Sequence, residues 1–218
     1  MDRAVIFLGP SLPQAEARAL LDADYRPPVR RGDVDALCRD APCVIGIVDG
    51  EFFQSLAVSP KEILRSLRAG CTVFGASSMG ALRAVELQRY GMIGVGTVFE
   101  LYRSGRVDGD DEVALVFSAD DQRALSMPLV NLRVALAAAS REGLLSAGEL
   151  RFLLRRLKAL YFPERTHAAT VRIARERLPE ERCRALATYL GEKAPDAKRD
   201  DAVALLRRVR AHLEGKEV

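Results

Sequence analysis

The 218 residues are enough for one large domain, or for one α/β domain with a smaller appendage, and can bury a sizeable core. Hydrophobic residues make up 49% and charged residues 29%, which argues against wholesale disorder, and a net charge of +3 is too small to signal a nucleic-acid partner. Cys38, Cys43, Cys71 and Cys183 form no CxxC pair and His167 and His212 lie far apart, so neither a zinc site nor a disulfide framework is expected.

The first apolar run, Ala4 to Leu8, reads as a buried strand and not as a signal peptide, because Gly9-Pro10 ends it after five residues. A helix over Pro13 to Leu21 follows the Gly9-Pro10-Ser11 turn, and this strand-loop-helix start also suggests a phosphate or nucleotide site. Pro27-Pro28 holds an extended connection. Asp33 is placed to cap a short helix over Val34 to Arg39. A second buried strand, Cys43 to Val48, delivers Asp49 to its carboxyl end, the edge at which ligands bind in open parallel sheets.

Ser59 and Glu62 form a capping box with Pro60 at the first helical position, so a helix start is expected there, running to about Ala69 and stopping at Gly70. Lys61 falls in its first turn, where the helix dipole disfavours a cation by roughly 0.3 to 1 kcal/mol; that favours the neutral amine, as burial would. A strand over Cys71 to Phe74 leads into Gly75-Ala76-Ser77-Ser78-Met79-Gly80 and then a helix. A serine on a sharp strand-to-helix turn, in a small-x-Ser-x-Gly frame, has the pattern of a nucleophile elbow. The right-handed β-α-β order places Lys61 and Ser78 on the same sheet edge.

Gly91 to Gly96 matches no phosphate-loop spacing and reads as a loop before a helix over Val95 to Arg103. Asp108 to Glu112 reads as an acidic turn ahead of a strand over Val113 to Phe117, and Ser118 to Asp121 turns the chain back into a short hairpin. From Pro128 the periodicity is helical: Leu129 to Glu142, Ala147 to Leu160 behind a Ser146/Glu149 capping box, His167 to Arg177, Glu180 to Leu190 and Arg199 to Glu214. The expected architecture is therefore a small, mostly parallel sheet with flanking helices over residues 1–127, followed by a helical C-terminal subdomain over 128–218.

Several motifs carry a family resemblance: GPSL from Gly9, the run from Pro27 to Asp33, DGEFFQ from Asp49, KEIL from Lys61, GASSMGALRAVEL from Gly75, YGMIGVG from Tyr90 and DDEVAL from Asp110. In this order they make the stretch from 4 to 130 resemble the TfuA-like family, partners of YcaO proteins in peptide-backbone thioamidation. The resemblance implies hydrolysis of the thiocarboxylated C-terminus of a ThiS-like sulfur-carrier protein through a Ser-Lys pair, releasing sulfide beside the YcaO protein, which binds the peptide substrate. By motif the pair is Ser78 and Lys61, with Pro60 standing where many relatives are expected to carry His. Ser77 is the competing nucleophile, Asp49 a further candidate, and the backbone N–H groups of Met79 and Gly80 the oxyanion donors, each worth roughly 3 to 4 kcal/mol. No cofactor, metal, nucleic acid or membrane is expected, and the expected compartment is the cytoplasm. The alternative is a non-catalytic adaptor that binds YcaO and recruits its peptide.

Overall fold

The computed structural model describes residues 4–37, 43–52, 56–118 and 123–216. The chain divides into two compact units, 1–108 together with 198–218, and 109–197. The last helix thus groups with the N-terminal sheet, whereas the boundary expected at 127/128 places it with the other C-terminal helices.

The first unit is built on five parallel strands: β1 (Ala4–Phe7), β2 (Asp24–Arg26), β3 (Val44–Ile47), β4 (Thr72–Ala76) and β5 (Ile93–Val95), in the order β2-β1-β3-β4-β5. β1 and β3 are buried at every position, as continuous apolar runs in a parallel sheet should be. Both edge strands are additions to the sequence reading. β2 is the charged triplet Asp-Tyr-Arg and β5 is interrupted by Gly94, so neither carries the apolar run that marks a buried strand. A side chain at Gly94 would meet the Phe99 ring at 2.2 Å.

The helices of this unit are α1 (Gln14–Leu20), α2 (Asp33–Leu37), α3 (Pro60–Arg68), α4 (Met79–Leu87) and α5 (Gly96–Arg103). α3 starts as expected, with both halves of the Ser59/Glu62 capping box present and Gly70 at φ +91° just beyond its end. The buried Glu62 carboxylate also accepts the Gly32 N–H at 2.6 Å, tying the loop before α2 to α3. Asp33 lies inside the first turn of α2, and its carboxylate accepts the Arg30 N–H at 2.7 Å instead of standing ahead of the helix as a cap. Arg39, the end expected for that helix, lies outside the described residues.

The second unit holds α6 (Leu129–Arg141), α7 (Ala147–Lys158), α8 (His167–Ala174) and α9 (Glu180–Glu192), packed around Leu132, Leu136, Leu153, Leu157, Leu186 and Leu190. The strand expected over Val113 to Phe117 is not formed. Among the described residues only an isolated antiparallel bridge, Phe117 to Ala124, is formed there, and a lone two-stranded ribbon is marginal without a further strand. The turn expected at Ser118 to Asp121 lies mostly outside the described residues. The acidic cluster serves as an anchor: Glu112, fully buried, takes a two-pronged hydrogen bond from Arg133 at 2.7 and 2.6 Å, and Asp111 pairs with the buried Arg165 guanidinium. Arg165 also donates to the carbonyls of Asp111, Leu157 and Leu160, so its charge is matched on several sides.

The chain's last helix, α10 (Ala197–Leu213), covers one sheet face of the first unit. Ala202, Leu205, Leu206 and Val209 pack with Ile6, Val44, Phe74 and Ala76 in one cluster. Its Asp201, only 2% exposed, accepts the N–H groups of Thr97 and Val98, both at 2.7 Å. An aspartate from a distant helix thereby satisfies the start of α5, whose own N-cap position is Val95 and offers no side-chain acceptor. Gly96, at φ +95°, leaves room for it, since a Cβ there would meet the Asp201 carboxyl carbon at 2.2 Å. Among the described residues no helix is long and apolar enough to cross a membrane.

These anchors set two stability outcomes. Asp201→Ala leaves two N–H groups at the start of α5 without their acceptor and lowers stability by about 1–3 kcal/mol, measured as a lower urea midpoint. In the second unit Arg182, with the Ser146 N–H, holds the Glu149 carboxyl down from 4.5 to about 2. A depressed folded-state value means that its contribution is present above the ordinary carboxylate range and is lost as pH falls through about 2. Glu149→Gln should therefore cost about 0.5–1 kcal/mol at pH ~7, with the gap to wild type closing as the denaturation series is taken to acid.

Candidate functional site

A sheet of order 2-1-3-4-5 reverses its winding between β1 and β3, and the crevice at the carboxyl ends of those two strands is where such sheets bind ligands. Two polar residues arrive there directly: Ser11 from the turn after β1, and Asp49 two residues past β3. Asp49 is 3% exposed. Its Oδ2 accepts the Gly9 N–H at 2.9 Å and the Ser11 N–H at 3.1 Å, while Oδ1 accepts the Ser11 hydroxyl at 2.6 Å. The loop N–H groups that a phosphate would need are thus directed at an internal carboxylate, which counts against the phosphate-site reading of this turn.

The next strand brings the serine turn to the same place. Ser77 is fully buried and has φ +66°, the one non-glycine residue at positive φ among the described residues. The Ser78 N–H donates back to the Ala76 carbonyl at 2.8 Å, so Ser77 is the centre of a three-residue γ-turn of the rare, positive-φ kind. Such a backbone costs about 1–3 kcal/mol and persists only where surrounding packing imposes it. Here the packing comes from two glycines. A Cβ at Gly75 would sit 2.2 Å from the Gly80 carbonyl oxygen, and one at Gly80 would sit 1.8 Å from the Ile47 oxygen, so α4 lies directly on the backbones of β3 and β4. The turn between them has no slack.

Held this way, the Ser77 hydroxyl donates to Ser11 Oγ at 2.9 Å, and Ser11 donates to Asp49. The result is a chain of two hydroxyls ending on a buried carboxylate. Lys198, at the start of α10 and 3% exposed, stands behind it with Nζ 3.8 Å from Asp49 Oδ1. The water lost from around the Asp49 carboxylate is thus replaced by three hydrogen-bond donors and a cation.

Ser78 is also buried, at the N-cap position of α4 with φ −120° and ψ −118°, outside the usual extended cap geometry, and its side chain makes no capping hydrogen bond. The Met79 N–H meets no acceptor among the described residues, while that of Gly80 faces the Val48 carbonyl at a long 3.4 Å. Lys61 is an exposed residue in the first turn of α3 and is no member of the Ser77–Ser11–Asp49–Lys198 network. The structure therefore brings Asp49 and Ser77 together, sets Ser78 beside them in sequence, and leaves Lys61 at the surface.

Two members of the network are not candidates from sequence. Ser11 lies inside a turn with its own reading, but nothing local links it to Asp49. Lys198 has a usable signal: carried back along α10 at helical spacing, the buried stripe of Val209, Leu205 and Ala202 reaches Asp201 and Lys198, two charged residues on a face meant for the core.

A cleft of about 750 Å³ in the first unit lies at the opposite edge of the sheet, beside the strand starts Ala4 and Val44 and the side chains of Arg18, Arg210 and His212. It contains no nucleophile-base constellation. Among the described residues no group of three or more His, Cys, Asp or Glu could hold a metal ion.

Comparison with curated proteins finds no match. A family model described as TfuA-like protein matches residues 49–166, just over half of the chain, beginning at Asp49 and including the whole serine turn. The chain belongs to the TfuA-like protein family.

Proposed function

We propose that this protein hydrolyses the thiocarboxylated C-terminus of a ThiS-like sulfur-carrier protein and releases sulfide to a YcaO partner that thioamidates a peptide. The observation that carries the hydrolytic reading is the strained Ser77 turn whose hydroxyl is wired through Ser11 to Asp49. Membership of the TfuA-like family supports a partner role, and the carrier and YcaO classes are those that the motif resemblance implies.

In this reading Ser77 Oγ attacks the thioacid carbonyl. Its proton passes to Ser11 Oγ as the Ser11 proton passes to Asp49, and the Lys198 ammonium balances the carboxylate in the resting site. The Met79 N–H is the donor best placed in sequence for the developing oxyanion, with Gly80 next. The acyl carbon–sulfur bond then breaks, and the sulfur leaves as hydrosulfide, taking up the proton that had passed to Asp49. Water attacks the ester, one of its protons passing to Asp49 and back through Ser11 to the departing Ser77 Oγ, and the new carboxylic acid on the carrier ionises to a carboxylate. Sulfide leaves far more readily than an amine, which eases the acyl-transfer step.

A second assignment keeps the same reaction with Ser78 as nucleophile and Lys61 as base. It is supported by the Ser78 side chain, which leaves the α4 cap unmade, and by the neighbouring Met79 N–H. The two assignments separate in a sulfide-release assay on thiocarboxylated carrier. Ser77→Ala should lose about 10³-fold or more and Ser11→Ala about 10²-fold or more, with Ser78→Ala and Lys61→Ala within about tenfold of wild type. The reverse pattern selects Ser78 and Lys61. Full thioamidation by the YcaO partner with both serine variants would leave this protein an adaptor.

A further inference from the structure

Cys43 and Cys71 directly precede β3 and β4, and the strand register, Val44 opposite Thr72, carried back one residue sets them side by side. The Thr72 N–H donates to the Cys43 carbonyl at 3.1 Å, so the ladder extends to this pair. Their sulfurs are 3.6 Å apart. Neighbouring strands run roughly 4.8 Å apart, inside the span of roughly 4.4 to 6.8 Å between Cα atoms that a disulfide bridges. Both cysteines are present as thiols.

Their exposure is unequal in a way that suits stepwise exchange. Cys71 is 5% exposed, whereas Cys43 is partly open to solvent. We propose that Cys43 and Cys71 form a reversible dithiol–disulfide site that reacts with small disulfides such as oxidised glutathione. The Cys43 thiolate attacks one glutathione sulfur, forming a mixed disulfide and releasing one glutathione thiol. The Cys71 thiolate then attacks the Cys43 sulfur and releases the second. Two protein thiols are oxidised, one glutathione disulfide is reduced, and both protons end on glutathione.

The bond would close the chain from 43 to 71, the segment that contains Asp49 and α3, and would join the two strands that deliver Asp49 and Ser77 to the site. Neither step depends on the hydrolytic reading.

The test is to incubate the full-length protein with oxidised glutathione and follow intact mass, peptide map and melting temperature. The expected result is loss of two hydrogens, a cross-linked peptide pair containing Cys43 and Cys71, and a melting temperature raised by several degrees and restored by dithiothreitol. Cys43→Ser and Cys71→Ser should each abolish the bond, while Cys38→Ser and Cys183→Ser leave it intact. A stable glutathione adduct on Cys43, a bond from Cys43 to Cys38, or no oxidation of the folded protein would each overturn the proposal.

Discussion

The buried carboxylate of Asp49 constrains the arrangement of everything around it, because a charge removed from water has to be met by donors from whatever chain segments can reach it. The turn after β1 meets it with two N–H groups and a hydroxyl, and α10 meets it with an ammonium. Segments from opposite ends of the chain are therefore held to one point at the carboxyl edge of the sheet. Ser77 joins that point through Ser11, so its hydroxyl is also a structural member of the network.

Steric and electrostatic constraints converge on the same turn. Gly75 and Gly80 let α4 lie against the strands without intervening side chains, which forces the chain between them through a conformation that L-residues seldom adopt. α10 contributes twice, with Lys198 facing Asp49 and Asp201 closing the start of α5. Both charged residues lie on the side of the helix that also carries Ala202, Leu205 and Val209 into the core. The helix that completes the apolar layer therefore also completes the polar one.

Much of this is legible locally. Ser59 and Glu62, or Ser146 and Glu149, can be recognised four residues at a time, because a capping box satisfies the N–H groups of its own helix, and both boxes form. The buried runs of β1 and β3 are equally plain. The edge strands β2 and β5 are not, since three residues with a charged or glycine centre carry no period, and their pairing depends on the strand already beside them. The run from Val113 to Phe117 shows the converse: strand-forming residues without a sheet to join make only one bridge.

The site divides in the same way. The sequence by itself determined that a serine pair would ride a glycine-framed turn at a strand end, and that Asp49 would end the neighbouring strand, because strand, turn and helix are each encoded within a few residues. Only the tertiary structure decided which partners those groups meet: Ser11 and Lys198 for Asp49, Ser11 for Ser77, and Cys71 for Cys43. The reason is physical. Hydrogen bonds and ion pairs between distant segments depend on strand order and on which helix covers which face, and those follow from burial of the whole core and not from any one stretch of chain.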